Sequence, residues 1–337
     1  MWFYILFLVV IGFCLDQYNK TRIKLYHKAV VIAVVLVTIC RYNVGYDYVT
    51  YARLINNESH ELIEFLFSPL SALFAEIAIY YHSPQLLFIL FGIPTYVLIF
   101  AALKRHSYGY ALSVLMFICL CYLNTLSIIR QALAVSITFY AYRYVVEKKF
   151  FKYLLFIVLA SLFHSSALIA LVIYWIPKLR FTHLIMCLLI AYIGKSVVFS
   201  LMIEYDFYSS YLTDEKNLEG GRFIMLFLFM IYGLCLYIWI KQKRSREVTS
   251  GLFNIVTIGM MCYILFGPHI GSRVAAYFEI YLYLLLPNLI SCLDWKSRKS
   301  LTLFSSVICL LFFMIYLWTP ILKGIPSAYI PYKVFFF

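Results

Sequence analysis

The sequence predicts an all-α, polytopic integral membrane protein of about 10–12 transmembrane helices with additional re-entrant or short helices. Three observations carry that reading. Of 337 residues, 64% are hydrophobic and only 13% charged, with a mean hydropathy of +0.90, so no soluble domain fits beside the membrane part. Apolar runs recur near 1–15, 28–40, 62–80, 85–103, 108–123, 128–146, 153–176, 184–202, 222–240, 250–267, 275–292 and 301–319, and a spanning helix needs roughly 20 such residues. Finally, 18 of the 28 lysines and arginines fall in six short clusters between those runs. Short loops rich in Lys and Arg stay in the cytoplasm.

The charge map orders the elements. The first run has no basic residue before it and Lys20, Arg22, Lys24 and Lys28 just after it, the reverse of a cleavable signal, which places the N-terminus outside. The stretches 41–61 and 203–221, the segment 268–274 and the C-terminal tail are then external. Alternation breaks twice. The run 62–80 holds Glu64, Pro69 and Glu76, so it is expected to be re-entrant or tilted, because irregular backbone is tolerated only where protein or a cavity covers it. The run between Lys152 and Lys178, interrupted by His164, Ser165 and Ser166, is expected to form a hairpin of two short helices with His164 at its apex. A competing topology turns 104–152 outward and leaves Arg130 inside; the basic counts favour the first. Without linkers or repeats, residues 1–337 read as a single transmembrane domain.

Several function classes fall away. The net charge of +13 sits mostly in the topological clusters, so it argues for orientation and against nucleic-acid binding. Nine cysteines without a CxxC pair read as small buried hydrophobes. No Gly-rich phosphate loop, HExxH or GxSxG occurs, and no compact acidic pair suggests a metal; no cofactor is expected.

The chemistry is expected on the external face. Arg41, Arg130, Arg222 and Arg273 each lie at one end of an apolar run, and the map puts all four on that side. A charge at membrane depth costs about 2.5–3.5 kcal/mol on insertion scales, so four arginines at one face point to an anionic, phosphate-bearing ligand. In 41–54, Gly45 and Asn43 allow a turn that brings Arg41, Asp47 and Arg53 within reach of one another, although interfacial tyrosines of a solvated loop would look similar. Glu61 and Glu64, three apart, share a helix face and suit a base, a sugar ligand or an arginine partner. In 124–134, Asn124, Ser127 and Gln131 form with Thr138 a polar stripe beside Arg130, expected to face a wet cavity. His164 is either a structural histidine or a base in that cavity. In 267–287, Gly267, Pro268 and Gly271 predict a tight turn, followed by an i, i+4, i+8 stripe of Arg273, Tyr277 and Tyr281; Glu279 lies on another face, and His269 is a second candidate base.

Taken in order, the loop R-x3-G-x-D-x3-Y (Arg41, Gly45, Asp47, Tyr51), the IRQALA helix (Arg130, Gln131), the ASLFHSSAL element (His164) and the GSRVAAYF span (Arg273, Tyr277) resemble the EpsG-like branch of the Wzy polysaccharide polymerases over about 40–290. The resemblance implies a glycosyltransferase-C-like arrangement in the bacterial plasma membrane, its active site facing the exterior. It further implies an enzyme that joins repeat units of O-antigen or a related surface polysaccharide carried on undecaprenyl pyrophosphate. On that reading His164, Asp47, Glu61 or Glu64 deprotonates the acceptor hydroxyl. Arg130, Arg273, Arg41 and Arg222 bind the pyrophosphate, and Tyr46, Gln131 and Tyr277 contact the glycan, with Tyr48, Tyr208 and Tyr211 available for stacking. The expected partners are the undecaprenyl-pyrophosphate-linked oligosaccharide, membrane lipids and a chain-length regulator. Two alternatives stay open: a flippase of the same lipid-linked unit, and a ligase passing the glycan to another acceptor.

Overall fold

The computed structural model describes residues 1–60, 62, 67–204 and 222–335, with their side chains apart from those at 181, 187, 188, 191, 195, 197–199, 201–204, 244–247 and 269. The chain is an all-α, multi-pass membrane protein. Among the described residues there is no strand, only one antiparallel bridge between Arg41 and Val334.

Among the described residues five helices are long and apolar enough to cross a membrane: Trp2–Thr21, Pro84–His106, Arg222–Lys241, Val248–Pro268 and Trp295–Leu322. A sixth crossing is available if Ile270–Glu279 and Leu282–Ser291, bent by 43°, act as one broken span. Other apolar runs form shorter helices, among them Pro69–Tyr80, Tyr110–Thr125 and Phe150–Ser161. Hydropathy marks all these runs alike, whereas local chemistry decides where each helix starts and stops. Pro69 and Pro84 open their helices after extended Ser68 and Ser83, at the position where a missing N–H costs nothing. One π-turn, Ile118–Tyr122, interrupts Tyr110–Thr125. Pro69–Tyr80 has 12 residues, about 18 Å of helix against a hydrocarbon core of about 30 Å, so this helix alone is too short to cross. The run 153–176 divides at His164: Phe150–Ser161 is α-helical, and Ser165–Tyr174 continues as a 3₁₀ helix.

Contacts group the chain into two compact units, residues 1–168 with 299–337, and residues 169–298. In the first, Pro84–His106 is the hub, packed by Lys24–Ile39, Ile129–Val146 and Pro69–Tyr80, while Ile129–Val146 also packs on Phe150–Ser161. In the second, Lys243–Glu279 is central, flanked by Arg222–Lys241, Leu282–Ser291 and Phe181–Glu204. Its helical path breaks at Gly267, whose φ of 76° is a conformation L side chains rarely adopt, just before Pro268.

Candidate active site

In the first unit the chain leaves helix Lys24–Ile39 and makes a loop, 41–47, before helix Tyr48–Asn56. The expected turn forms at Asn43 and Gly45, whose φ angles are 51° and 108°. Arg41 turns inward and is 0% exposed, whereas Arg53 is exposed. One Arg41 terminal nitrogen donates to the carbonyls of Val44, at 3.0 Å, and Leu126, and the guanidinium lies over the Phe88 ring at 4.6 Å. No carboxylate pairs with it, and its Nε and other terminal nitrogen have no hydrogen-bond partner among the described residues. Burial pulls its pKa down, with the phenols of Tyr96, Tyr122, Tyr48 and Tyr329 opposing the shift, and a guanidinium starts high enough to stay charged. A charge held by carbonyls and an aromatic face alone is costly to bury, which marks Arg41 as a side chain that fixes the shape of the loop.

Gly45 completes that shape. Its φ is 108°, and a Cβ there would stand 2.9 Å from the Leu126 carbonyl oxygen and 3.0 Å from the Arg41 guanidinium. Gly45→Ala is therefore expected to destabilise the fold by at least about 1–2 kcal/mol from the backbone alone, read as a lower unfolding temperature in detergent. An unchanged midpoint would place this loop elsewhere.

The C-terminal tail closes over the loop, a contact that the sequence does not signal by any motif. Gly45 donates to the Ala328 carbonyl and Tyr42 to that of Lys333, both at 2.8 Å, and Phe335 donates to that of Cys40 at 3.1 Å. The available signal was composition: 325–335 is dense in aromatic and apolar residues, unusual for a solvated tail.

Arg130 sits in the first turn of Ile129–Val146, half-buried, with its guanidinium 4.0 Å from the Phe67 ring centre and its Nε donating to the Tyr51 hydroxyl at 3.4 Å. Tyr51 comes from the buried face of helix Tyr48–Asn56, so the loop's short helix and Arg130 meet. The polar stripe beside Arg130 does not line a wet cavity. Ser127 accepts the Tyr46 N–H at 2.9 Å, Gln131 is 3% exposed, and Thr138 is fully buried and donates to the Val135 carbonyl. Because Ile129–Val146 packs between Pro84–His106 and Phe150–Ser161, the stripe meets protein, and only Asn124, before the helix, is exposed.

The remaining candidates of this unit are more open. Tyr46 is 60% exposed, and Asp47, half-buried, occupies the N-cap position of Tyr48–Asn56. His164 is half-buried at the break after Phe150–Ser161, where its Nδ1 shares a hydrogen bond with the Ser166 hydroxyl at 2.8 Å. Glu61, Glu64, Tyr208 and Tyr211 lie outside the described residues, as does the side chain of His269.

In the second unit Arg222 is exposed at the first residue of its helix, and Arg273 is half-buried six residues beyond the Gly267 break. The predicted stripe of Arg273, Tyr277 and Tyr281 is not continuous, because the helix ends at Glu279 and restarts at Leu282 with a 43° bend. Tyr277 and Tyr281 are both fully buried. Glu279, set aside in the sequence as facing elsewhere, accepts a hydrogen bond from the Tyr263 hydroxyl at 2.5 Å. Among the described residues no group of three or more His, Cys, Asp or Glu could hold a metal ion.

Residues 24–334 match the EpsG family. No curated protein and no solved structure matches the chain.

Proposed function

Because this chain belongs to the EpsG family, whose members are relatives of the Wzy-type polymerases, we propose that it polymerises lipid-linked repeat units of a surface polysaccharide of the O-antigen type. The growing glycan leaves its undecaprenyl pyrophosphate and moves to a sugar hydroxyl of the incoming lipid-linked unit. The acceptor oxygen bonds to the anomeric carbon, that carbon's bond to the pyrophosphate oxygen breaks, the hydroxyl proton passes to a base, and the pyrophosphate departs as an anion. The enzyme works in the plasma membrane with its active site facing outward.

Family membership over nearly the whole chain carries this reading, and the geometry of Arg130 supports it. A half-buried guanidinium held against Phe67 and Tyr51 has its plane fixed, which suits bidentate contact with a phosphate. Arg273 and Arg222, in the second unit, are the other candidates for that role. Arg41 serves by positioning the loop that presents Tyr46 and Asp47. Asp47 and His164 are the candidate bases among the described residues, and Gln131 and Tyr277, being buried, act through packing.

The test is a purified protein given synthetic undecaprenyl-pyrophosphate repeat units, read on a gel. A ladder of products supports polymerisation. Movement of the unit across a vesicle membrane without a ladder supports a flippase, and transfer to a different acceptor a ligase. In the same assay Arg273→Lys, which keeps the charge but loses the planar fork, is expected to slow the rate about tenfold to 150-fold, the loss of one directed charge-assisted bond of about 1.5–3 kcal/mol. A full-rate ladder at matched protein level would remove Arg273 from the phosphate site.

A further inference from the structure

We propose that the C-terminal segment 328–335 is a working part of the glycan site, with Tyr329 as the positioning residue that holds Tyr46 as a stacking platform for a pyranose ring of the lipid-linked substrate. The proposal rests on the polymerase reading for its substrate, and on geometry for everything else.

Tyr46 is 60% exposed yet anchored on two sides. Its N–H donates to the Ser127 hydroxyl at 2.9 Å, and its ring meets the Tyr329 ring edge to face at 5.5 Å and 86°. Tyr329 is in turn fixed: it is 2% exposed, its hydroxyl shares a hydrogen bond with Ser127 at 3.3 Å, its carbonyl accepts the Tyr4 hydroxyl at 2.9 Å, and its ring tilts onto Tyr316 at 6.0 Å. Ser127 thus ties Tyr46 and Tyr329 to the turn that leads into Arg130. The rest of the segment is held as well, through the Gly45 and Tyr42 amide bonds, the Tyr332 hydroxyl donating to the Val37 carbonyl at 2.7 Å and Phe3 stacked on Tyr332 at 3.8 Å.

An exposed aromatic ring whose orientation is set by a buried neighbour binds with little further loss of freedom. The negative π face attracts the partly positive C–H groups on the apolar side of a pyranose, while the phenol offers a hydrogen bond at the rim. Asp47, the next residue, brings a carboxylate to the same loop. A tyrosine that only marks the membrane border has no need of this bracing, and that rival is an outcome of the test.

The test compares Tyr46→Leu, Tyr329→Leu and Tyr329→Phe, by initial rates with lipid-linked acceptor and by titration of the free repeat-unit oligosaccharide onto the purified protein. Both leucine variants are expected to raise the acceptor KM and the oligosaccharide Kd about tenfold, about 1.4 kcal/mol, with kcat within about twofold. Tyr329→Phe keeps the ring and is expected to stay near wild type. Unchanged KM and Kd in Tyr46→Leu, which alters only an exposed side chain and so leaves folding intact, would overturn the platform. A fall in kcat alone would also overturn it and assign the tail a structural role. If wild type forms no ladder, the polymerase reading fails, and the oligosaccharide titration still decides the platform.

Discussion

Arg41→Ala is expected to unfold the 41–47 loop and lower stability by about 3–5 kcal/mol, the largest stability effect of any single change in this region. Truncation leaves the Val44 and Leu126 carbonyls buried without their donor, at about 1–3 kcal/mol each, and opens a hole against Phe88. Removing a buried charge also relieves its desolvation cost, so Arg41→Met, which fills much of the space, is expected to lose less than Ala. Lysine keeps the charge but cannot serve both carbonyls and stack on Phe88 at once. Thermal unfolding in detergent reads the order, with Ala below Met and Lys, and polymer formation falling in step. A pyrophosphate ligand behaves differently: activity falls while the unfolding temperature holds. That second pattern would return Arg41 to the role the sequence suggested.

Arg130→Ala carries the largest expected effect on rate. If its guanidinium grips the departing pyrophosphate with two charge-assisted hydrogen bonds of about 1.5–3 kcal/mol each, their loss slows turnover by about a hundredfold to ten-thousandfold. Arg130→Lys is expected between Ala and wild type, because the stacking on Phe67 depends on a flat cation. Since the side chain is half-buried, stability should change far less than in Arg41→Ala, and matched protein levels with matched unfolding temperatures separate the two mechanisms. Arg130→Ala with full ladder formation would move the phosphate site away from this helix.

Much of the breaking pattern was readable from residue type alone. Gly267 followed by Pro268 interrupts a helix because one residue needs positive φ and the next lacks a donor, and the structure breaks there. The polar step His164-Ser165-Ser166 ends an apolar helix in the expected place, and Pro69 opens a helix too short to span. The site was less legible. Arg41 and Arg130 look alike in the sequence, each a cation at the end of an apolar run, yet one is sealed and the other half-open. Likewise the spacing of Arg273, Tyr277 and Tyr281 promises one stripe, and the bend after Glu279 ends it.

By itself, then, the sequence determined the all-α, multi-pass class, because hydropathy, basic clusters and helix punctuation are local properties that sum along the chain, and its ordered motifs carried the family resemblance. The tertiary structure alone decided which arginine is buried and what closes the loop. Those outcomes depend on partners far away in sequence: Leu126 is 85 residues from Arg41, Tyr329 is 202 from Ser127, and Tyr4 is 325 from Tyr329. No window along the chain sees such pairs, because a side chain's environment is set by what packs across from it.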